Sequence, residues 1–295
     1  MPTARDYERR ASALIAAGDR AGAESVYRDA IGKFPHDAQA RFGLAMLLKD
    51  ERHPVEARKL FLAGLKRVES QPMLTALGFV ERCLGLAAEA EATLRRSLAL
   101  EPRDGYAMVQ LGYLIRMERP AEAVELYRAA LKIEPTIPYL HRELGWALCG
   151  CKRWRAAEPF MRKAIRRDPA DFWAHNWLGM LLETRGRWED AYAANLRAAE
   201  LRPWFGPLWA DVARACVGTG REAEAERHFA HALFLGYGSP VVHKEYARYL
   251  MSKGRLEEAR LHLTEARKGV RNPSAGLSRA LRRLDDQERE RKKAW

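Results

Sequence analysis

Apolar and small residues recur along this chain at spacings of three, four and seven, and the whole pattern repeats every 33 or 34 residues. Each period holds an apolar stretch of helical periodicity, a short polar turn, a second such stretch, and an exit that often carries proline. The clearest anchors are Leu77-Gly78, Leu111-Gly112, Leu144-Gly145 and Leu178-Gly179, with Pro102, Pro135, Pro169 and Pro203 closing their units. Two helices per period are predicted. Neither helix of such a pair can bury its apolar face alone, so the units must stack on one another, which predicts an all-α solenoid. Units beginning near residues 4, 38, 71, 105, 138, 172, 206 and 240 make about eight repeats over residues 4–273. Beyond Pro273 the period is lost, yet Leu277, Leu281 and Leu284 keep helical spacing. Residues 274–295 therefore read as a helix that caps the array, ending in a charged tail.

Within a unit, Gly or Ala at positions 8, 20 and 27 lets the two helices approach, and larger apolar side chains at 4, 7, 11 and 24 fill the adjoining space. In the fifth unit Ala157, Met161, Ala164 and Pro169 occupy positions 20, 24, 27 and 32; in the sixth Ala191, Asn195, Ala198 and Pro203 do so, with Gly179 at position 8. This pattern resembles the tetratricopeptide repeat family. The resemblance implies a right-handed helix-turn-helix solenoid, and Tyr7, Leu14, Ala23, Tyr27, Ala30 and Pro35 start it near the first residues. Departures are local: Glu69, Tyr237 and Arg271 stand where proline is expected, and the second and fourth units are one residue short. In the fourth unit the loss falls in the turn from Arg116 to Pro120, where proline opening a helix is tolerated. Trp154 and Trp188 occupy position 17, an aromatic turn position in the family, and are expected to serve packing.

Composition narrows the function only a little. The formal charge of +12 and pI of 9.7 favour acidic partners in general, but 51 basic and 39 acidic side chains spread over a long array make no concentrated patch. The most basic stretch, Lys152 to Arg167, falls on a second helix of its unit and reads as a solvated face. The first residues lack an apolar leader, and no run approaches the roughly 18 apolar residues of a membrane span, so a cytoplasmic location is expected. Cys83, Cys149, Cys151 and Cys216 have no metal-ligand spacing and read as reduced thiols, with neither metal nor cofactor expected. No phosphate loop, His-Glu-x-x-His or nucleophile-elbow motif breaks the repeat, so an enzyme is not expected.

The first helix of each unit carries a second stripe at positions 2, 5, 9 and 12, which in tetratricopeptide arrays lines the concave groove. Here it reads Phe42 and Met46 in unit two, Phe79 and Arg82 in three, and Tyr106, Tyr113 and Arg116 with Val109 in four. Units five and six add Tyr139, Arg142, Trp146, Trp173, Asn176 and Met180. Rings, Met and Arg on a solvent-facing stripe are the residue types of interface cores. Some of these rings are expected to serve packing between repeats, and cation–π pairing could hold the guanidinium groups. His141, His175 and His243 recur at position 4 and read as core histidines. The family's clamp for chaperone C-termini needs a Lys at position 5 followed by further matching units; only Lys244 fits, in the last unit, so that use is not expected. The leading expectation is a scaffold that binds a protein segment with apolar anchors and acidic residues. The alternative is single-stranded nucleic acid, which Glu143, Glu183, Asp211 and Glu245 in or beside the stripe oppose.

Overall fold

The computed structural model of the chain describes residues 2–51, 53–236, 238–268 and 275–293. The departures expected at Tyr237 and Arg271, and the junction at Pro273 and Ser274, lie outside these residues. Among the described residues every regular element is a helix, and no helix is long and apolar enough to cross a membrane.

The helices fall into two compact units, residues 1–152 and 153–295. The first holds α1 (Ala4–Ala16), α2 (Arg20–Lys33), α3 (Ala38–Asp50), α4 (Pro54–Leu65), α5 (Gln71–Cys83), α6 (Ala87–Leu100), α7 (Gly105–Ile115), α8 (Pro120–Ile133) and α9 (Leu140–Gly150). The second holds α10 (Trp154–Arg167), α11 (Phe172–Thr184), α12 (Trp188–Leu201), α13 (Gly206–Gly218), α14 (Glu222–Leu235), α15 (Pro240–Ser252), α16 (Leu256–Arg267) and α17 (Ala275–Lys293). Within each unit the first helix of a repeat (helix A) packs on its own helix B, helix B packs on the next helix A, and most successive helices A touch as well, which is the packing of an α-solenoid. In the second unit α17 packs on α16 and α15, its Leu277, Ala280 and Leu284 joining the core formed by Leu250, Leu256 and Leu263.

Local chemistry sets the helix boundaries. The carboxylates of Asp37, Asp104 and Asp171, each the residue before a helix A, accept hydrogen bonds from the backbone N–H of Gln39, Ala107 and Ala174 at 2.8, 3.0 and 3.1 Å. They satisfy donors that the first turn leaves unpaired. Pro54, Pro120 and Pro240 open their helices, where a missing N–H costs nothing. The turn from A to B passes through a positive φ at Gly18, Gly85, Gly186, Gly220 and Gly254; in the fifth repeat Lys152 takes that conformation, with φ 57°.

The small residues do what close helix approach requires. A methyl group on Gly78 would lie 2.6 Å from Leu94 Cγ, and one on Gly112 would lie 2.8 Å from the Tyr127 ring. Ala11, Ala23, Ala57, Ala157 and Ala191 are fully buried. Phe61, Tyr127, Met161 and Phe229 supply the bulk between them. Trp188 packs as expected of a turn aromatic, its ring occupying the space that a side chain on Gly218 would need.

Candidate protein-interaction surface

In the first unit the second stripe of helix A forms a ladder of rings and cations. The Lys49 ammonium of α3 lies 5.3 Å from the centre of the Phe79 ring on α5. Arg82, one turn on, sits over both Phe79 at 5.1 Å and Tyr113 of α7 at 4.6 Å. Arg116 closes on the same Tyr113 ring at 3.5 Å. The sequence brings these groups together because positions 9 and 12 of successive helices A fall side by side when the repeats stack. Each guanidinium is held over a ring, so its charge is directed and its rotamer entropy is already reduced before any ligand arrives.

Buried acids and amides anchor the ladder from beneath. Glu143 of α9, with its side chain 1% exposed, pairs with Arg142 at 3.1 Å and Arg116 at 3.7 Å. Gln110, 4% exposed, accepts from Arg82 Nε at 3.2 Å. Glu81 is buried likewise and holds Arg58 at 3.1 Å while accepting from the Thr93 hydroxyl. A lone carboxylate at such depth would be costly, so these pairings fix where each Arg points. Tyr106, Tyr113 and Tyr139 remain 39%, 39% and 48% exposed. Phe42, Met46, Phe79, Arg82, Arg116, Arg142 and Trp146 are half-buried. Phe42 also packs on Phe61 beneath it, with ring centres 6.1 Å apart, so part of this ring serves the core.

Tyr139 departs from its expected place. Register puts it inside helix A, whereas α9 begins one residue later and Tyr139 is the cap, with φ 53°. The Tyr139 ring still faces solvent, with Arg142 5.2 Å from its centre.

The second unit carries a surface of different character. Trp173, 38% exposed, meets Phe172, Trp177 and Phe205 at ring-centre distances of 4.8, 5.9 and 6.3 Å. Arg202 lies over Phe172 and the 64% exposed Trp204. Met180 is half-buried. Asn176 does not line a surface at all: it is 4% exposed and donates to Asp211 at 2.7 Å. Position 5 of that helix faces the next helix A, so this amide braces α11 against α13.

That brace belongs to a buried ionic network. Arg214 of α13 pairs with Glu183 at 2.6 Å and Asp211 at 2.8 Å, and approaches Glu245 at 3.9 Å. Asn195 donates to Glu183 at 2.9 Å. Burial pushes the carboxyls of Glu183 and Asp211 up, with Arg214 opposing, and those carboxylates together outweigh burial at Arg214 and hold it firmly charged. The basic helix α10 is also less bare than its sequence suggests, because Glu158 binds Arg162 at 2.8 Å, Arg187 at 3.0 Å, and Arg185.

Of the histidines at position 4, His141 and His243 are buried, whereas His175 is only half-buried. His175 donates from Nε2 to the Pro169 carbonyl at 3.1 Å. His243 and His262 face each other with Nδ1 atoms 2.9 Å apart, against the Tyr246 ring and near Glu258 and Glu265. One Nδ1 must donate and the other accept, so the contact needs at least one neutral ring. Burial lowers both affinities for protons, and at His262 the neighbouring His243 adds to it. A base whose folded pKa is depressed contributes stability above its unfolded value of about 6.5 and loses it as pH falls through the folded value. The thermal midpoint followed by circular dichroism should therefore drop from pH about 6.5 to 5. His262→Leu should flatten that drop; an unchanged slope in the variant would contradict the assignment.

One grouping gave no signal in the spacing. Cys216, Glu224 and His228 present ligand atoms within 4.8 Å of one another. Burial pushes the Cys216 thiol up to about 11, and the His228 ring stacks on Trp209 at 5.5 Å. A protonated thiol and a stacked imidazole describe a packed interior, and a metal would have to displace both arrangements.

Comparison with known proteins agrees with the packing. The Tetratricopeptide repeat signature matches residues 14–77, 113–172 and 160–193. Among curated proteins the chain is similar to the BBSome complex member BBS4 of Bos taurus, 24% identical over 203 residues, which are 68% of this chain and 39% of that protein. It thus spans about two fifths of that relative's length. Among solved structures it resembles a tetratricopeptide repeat protein from Parabacteroides merdae ATCC 43184, with TM-score 0.70, 15% identity, and coverage of 84% of this chain and 98% of the other. IFIT1 in complex with m7Gppp-AAAA matches with TM-score 0.70 and 16% identity over 100% of this chain and 75% of that one. At these identities the structural likeness speaks for the fold alone. With the repeat signatures, the small-residue contacts and the paired-helix stacking in agreement, the chain belongs to the tetratricopeptide repeat family.

Proposed function

We propose that the chain is a non-catalytic scaffold that binds a segment of a protein partner along the helix-A face of its repeats. The observation that carries this reading is the ladder Phe79–Arg82–Tyr113–Arg116, in which exposed or half-exposed rings alternate with oriented guanidinium groups. A partner suited to it offers apolar side chains to the rings and carboxylates to the arginines. The likeness to a member of a multi-protein complex supports an assembly role.

Single-stranded nucleic acid is the weaker reading, although the IFIT1 structure holds a capped RNA on a related fold. Glu143 pairs with both Arg116 and Arg142 and offsets one of their two charges, which leaves less positive charge for a phosphate backbone. The test uses the partner that co-purifies with the tagged chain. It is titrated against the wild type and against Tyr113→Ala/Trp146→Ala, with helicity followed by circular dichroism. Loss of binding with the fold intact supports the reading; full retention removes it. A steep loss of affinity with salt, carried by nucleic acid in the purified complex, would favour the alternative.

A further inference from the structure

Helix α17 lies outside the repeat, yet it does more than close the core. Its Leu277, Ala280 and Leu284 face α15 and α16, while Gly276, Arg279, Arg283 and Gln287, spaced by three and four residues, turn to an adjoining edge. That edge forms one wall of a cavity of about 650 Å³. The facing wall comes from α13, α14 and α15 and contributes Arg214, Lys244, Glu245 and Arg248 over a floor that includes Val217, Phe229 and Met251. The volume falls in the range of pockets that hold a small ligand or a short peptide segment.

Charge in this cavity is lopsided. Five cations, Arg214, Lys244, Arg248, Arg279 and Arg283, share the lining with one carboxylate, Glu245. Lys244 and Arg248 are both spent on Glu245, at 3.2 and 3.1 Å, and Arg214 on Glu183 and Asp211. Among the described residues, Arg279 donates only to the carbonyl of Ala275 in its own helix, at 3.2 Å. Among the described residues Arg283 has no ion-pair partner. Two guanidinium groups one turn apart, with no acid between them and sharing the cavity lining with three further cations, leave a site whose potential calls for an anion. Among the described residues the buried side-chain oxygen of Gln287 also has no hydrogen-bond partner, and turning its amide over would present an N–H₂ donor at the same place.

The lining selects among anions. Guanidinium pairs grip carboxylates bidentately, and the apolar floor of Phe229, Val217 and Met251 rewards a hydrophobic neighbour. The Glu245 carboxylate set into the wall disfavours a dense run of phosphates. We propose that the cavity between α17 and α13–α15 binds an acidic peptide segment, with glutamate or aspartate side chains on Arg279 and Arg283 and an adjacent apolar side chain on the floor. This rests on the reading of the chain as a protein-binding scaffold and adds a second, electrostatic docking point to it.

The probe is a fluorescein-labelled hexapeptide of four glutamates and two leucines, titrated by fluorescence anisotropy against the whole chain. Saturable binding is expected, weakened at least about tenfold by Arg279→Glu/Arg283→Glu and by the milder Arg279→Gln/Arg283→Gln, with helicity retained. Equal binding by the two Arg279/Arg283 variants, or no binding to the wild type up to about 1 mM, overturns the proposal. So does displacement by inorganic phosphate or oligothymidylate at lower concentration than by unlabelled peptide, since phosphate would then be the ligand. A failed hexapeptide beside a co-purified partner that still depends on Tyr113 and Trp146 removes this pocket and leaves the scaffold reading standing.

Discussion

Arg214→Met is expected to destabilise the second unit by about 3 kcal/mol, the toll of leaving a buried acid without its counter-charge. Asp211, Glu183 and Glu245 are 17%, 9% and 10% exposed, and Arg214 is the cation common to all three. Methionine keeps most of the volume and removes the charge, so packing loss does not explain the effect. The sign of the pH dependence follows. Carboxyls whose folded pKa is raised contribute stability below their unfolded value of about 4 and lose it as pH rises through the folded value. Without Arg214 the raised values of Glu183 and Asp211 climb further, so the deficit of the variant should be largest at neutral pH and narrow toward pH 4. Denaturant midpoints at several pH values, with hydrogen exchange of α13 as the local readout, check this. An unchanged midpoint at pH 7 would mean that the network is ornamental.

Tyr113→Ala/Trp146→Ala should weaken the partner at least about 100-fold, because aromatic anchors at interface centres are each worth about 2 kcal/mol or more and the two need not add. Tyr113 is the stronger choice on geometry: both Arg82 and Arg116 rest on its ring, at 4.6 and 3.5 Å. Its removal strips a contact surface and frees two guanidinium groups from their orientation. The core cost is small, since Tyr113 is 39% exposed and the buried neighbours Leu111 and Ile115 are untouched. A stability change as large as the binding change would instead assign the ring to packing between repeats.

The repeat was legible because close helix approach admits few residues. Gly78 and Gly112 stand where a single methyl group would strike the facing helix, and that demand writes itself into every period. The stripe of rings and arginines was legible by type and position, since helical spacing alone places positions 9 and 12 on one face. Its pairings were not. Arg82 bridges rings on two helices, which depends on how one repeat is set against the next.

The acids were the harder case. Glu143, Asp211 and Glu245 recur at position 6 and read as residues in or beside the groove, yet they are largely buried and hold the arginines from below. Their recurrence at one position was the available signal, but an acid there reads equally well as solvated or as buried and paired. Asn176 was misplaced for the same reason, its neighbour Asp211 lying a full repeat away. The cavity beside α17 had no periodic signal at all, because the repeat that would have supplied a register ends before Arg279 and Arg283.

Hydrogen–deuterium exchange of the chain with and without its co-purified partner tests the central claim most directly. Binding along the helix-A face predicts new protection in α5, α7 and α9, the helices that carry Arg82, Tyr113 and Trp146, with the helix-B surfaces unchanged. Protection confined to helices B, such as the basic face of α10, with α5 and α7 exchanging as in the free chain, would contradict it.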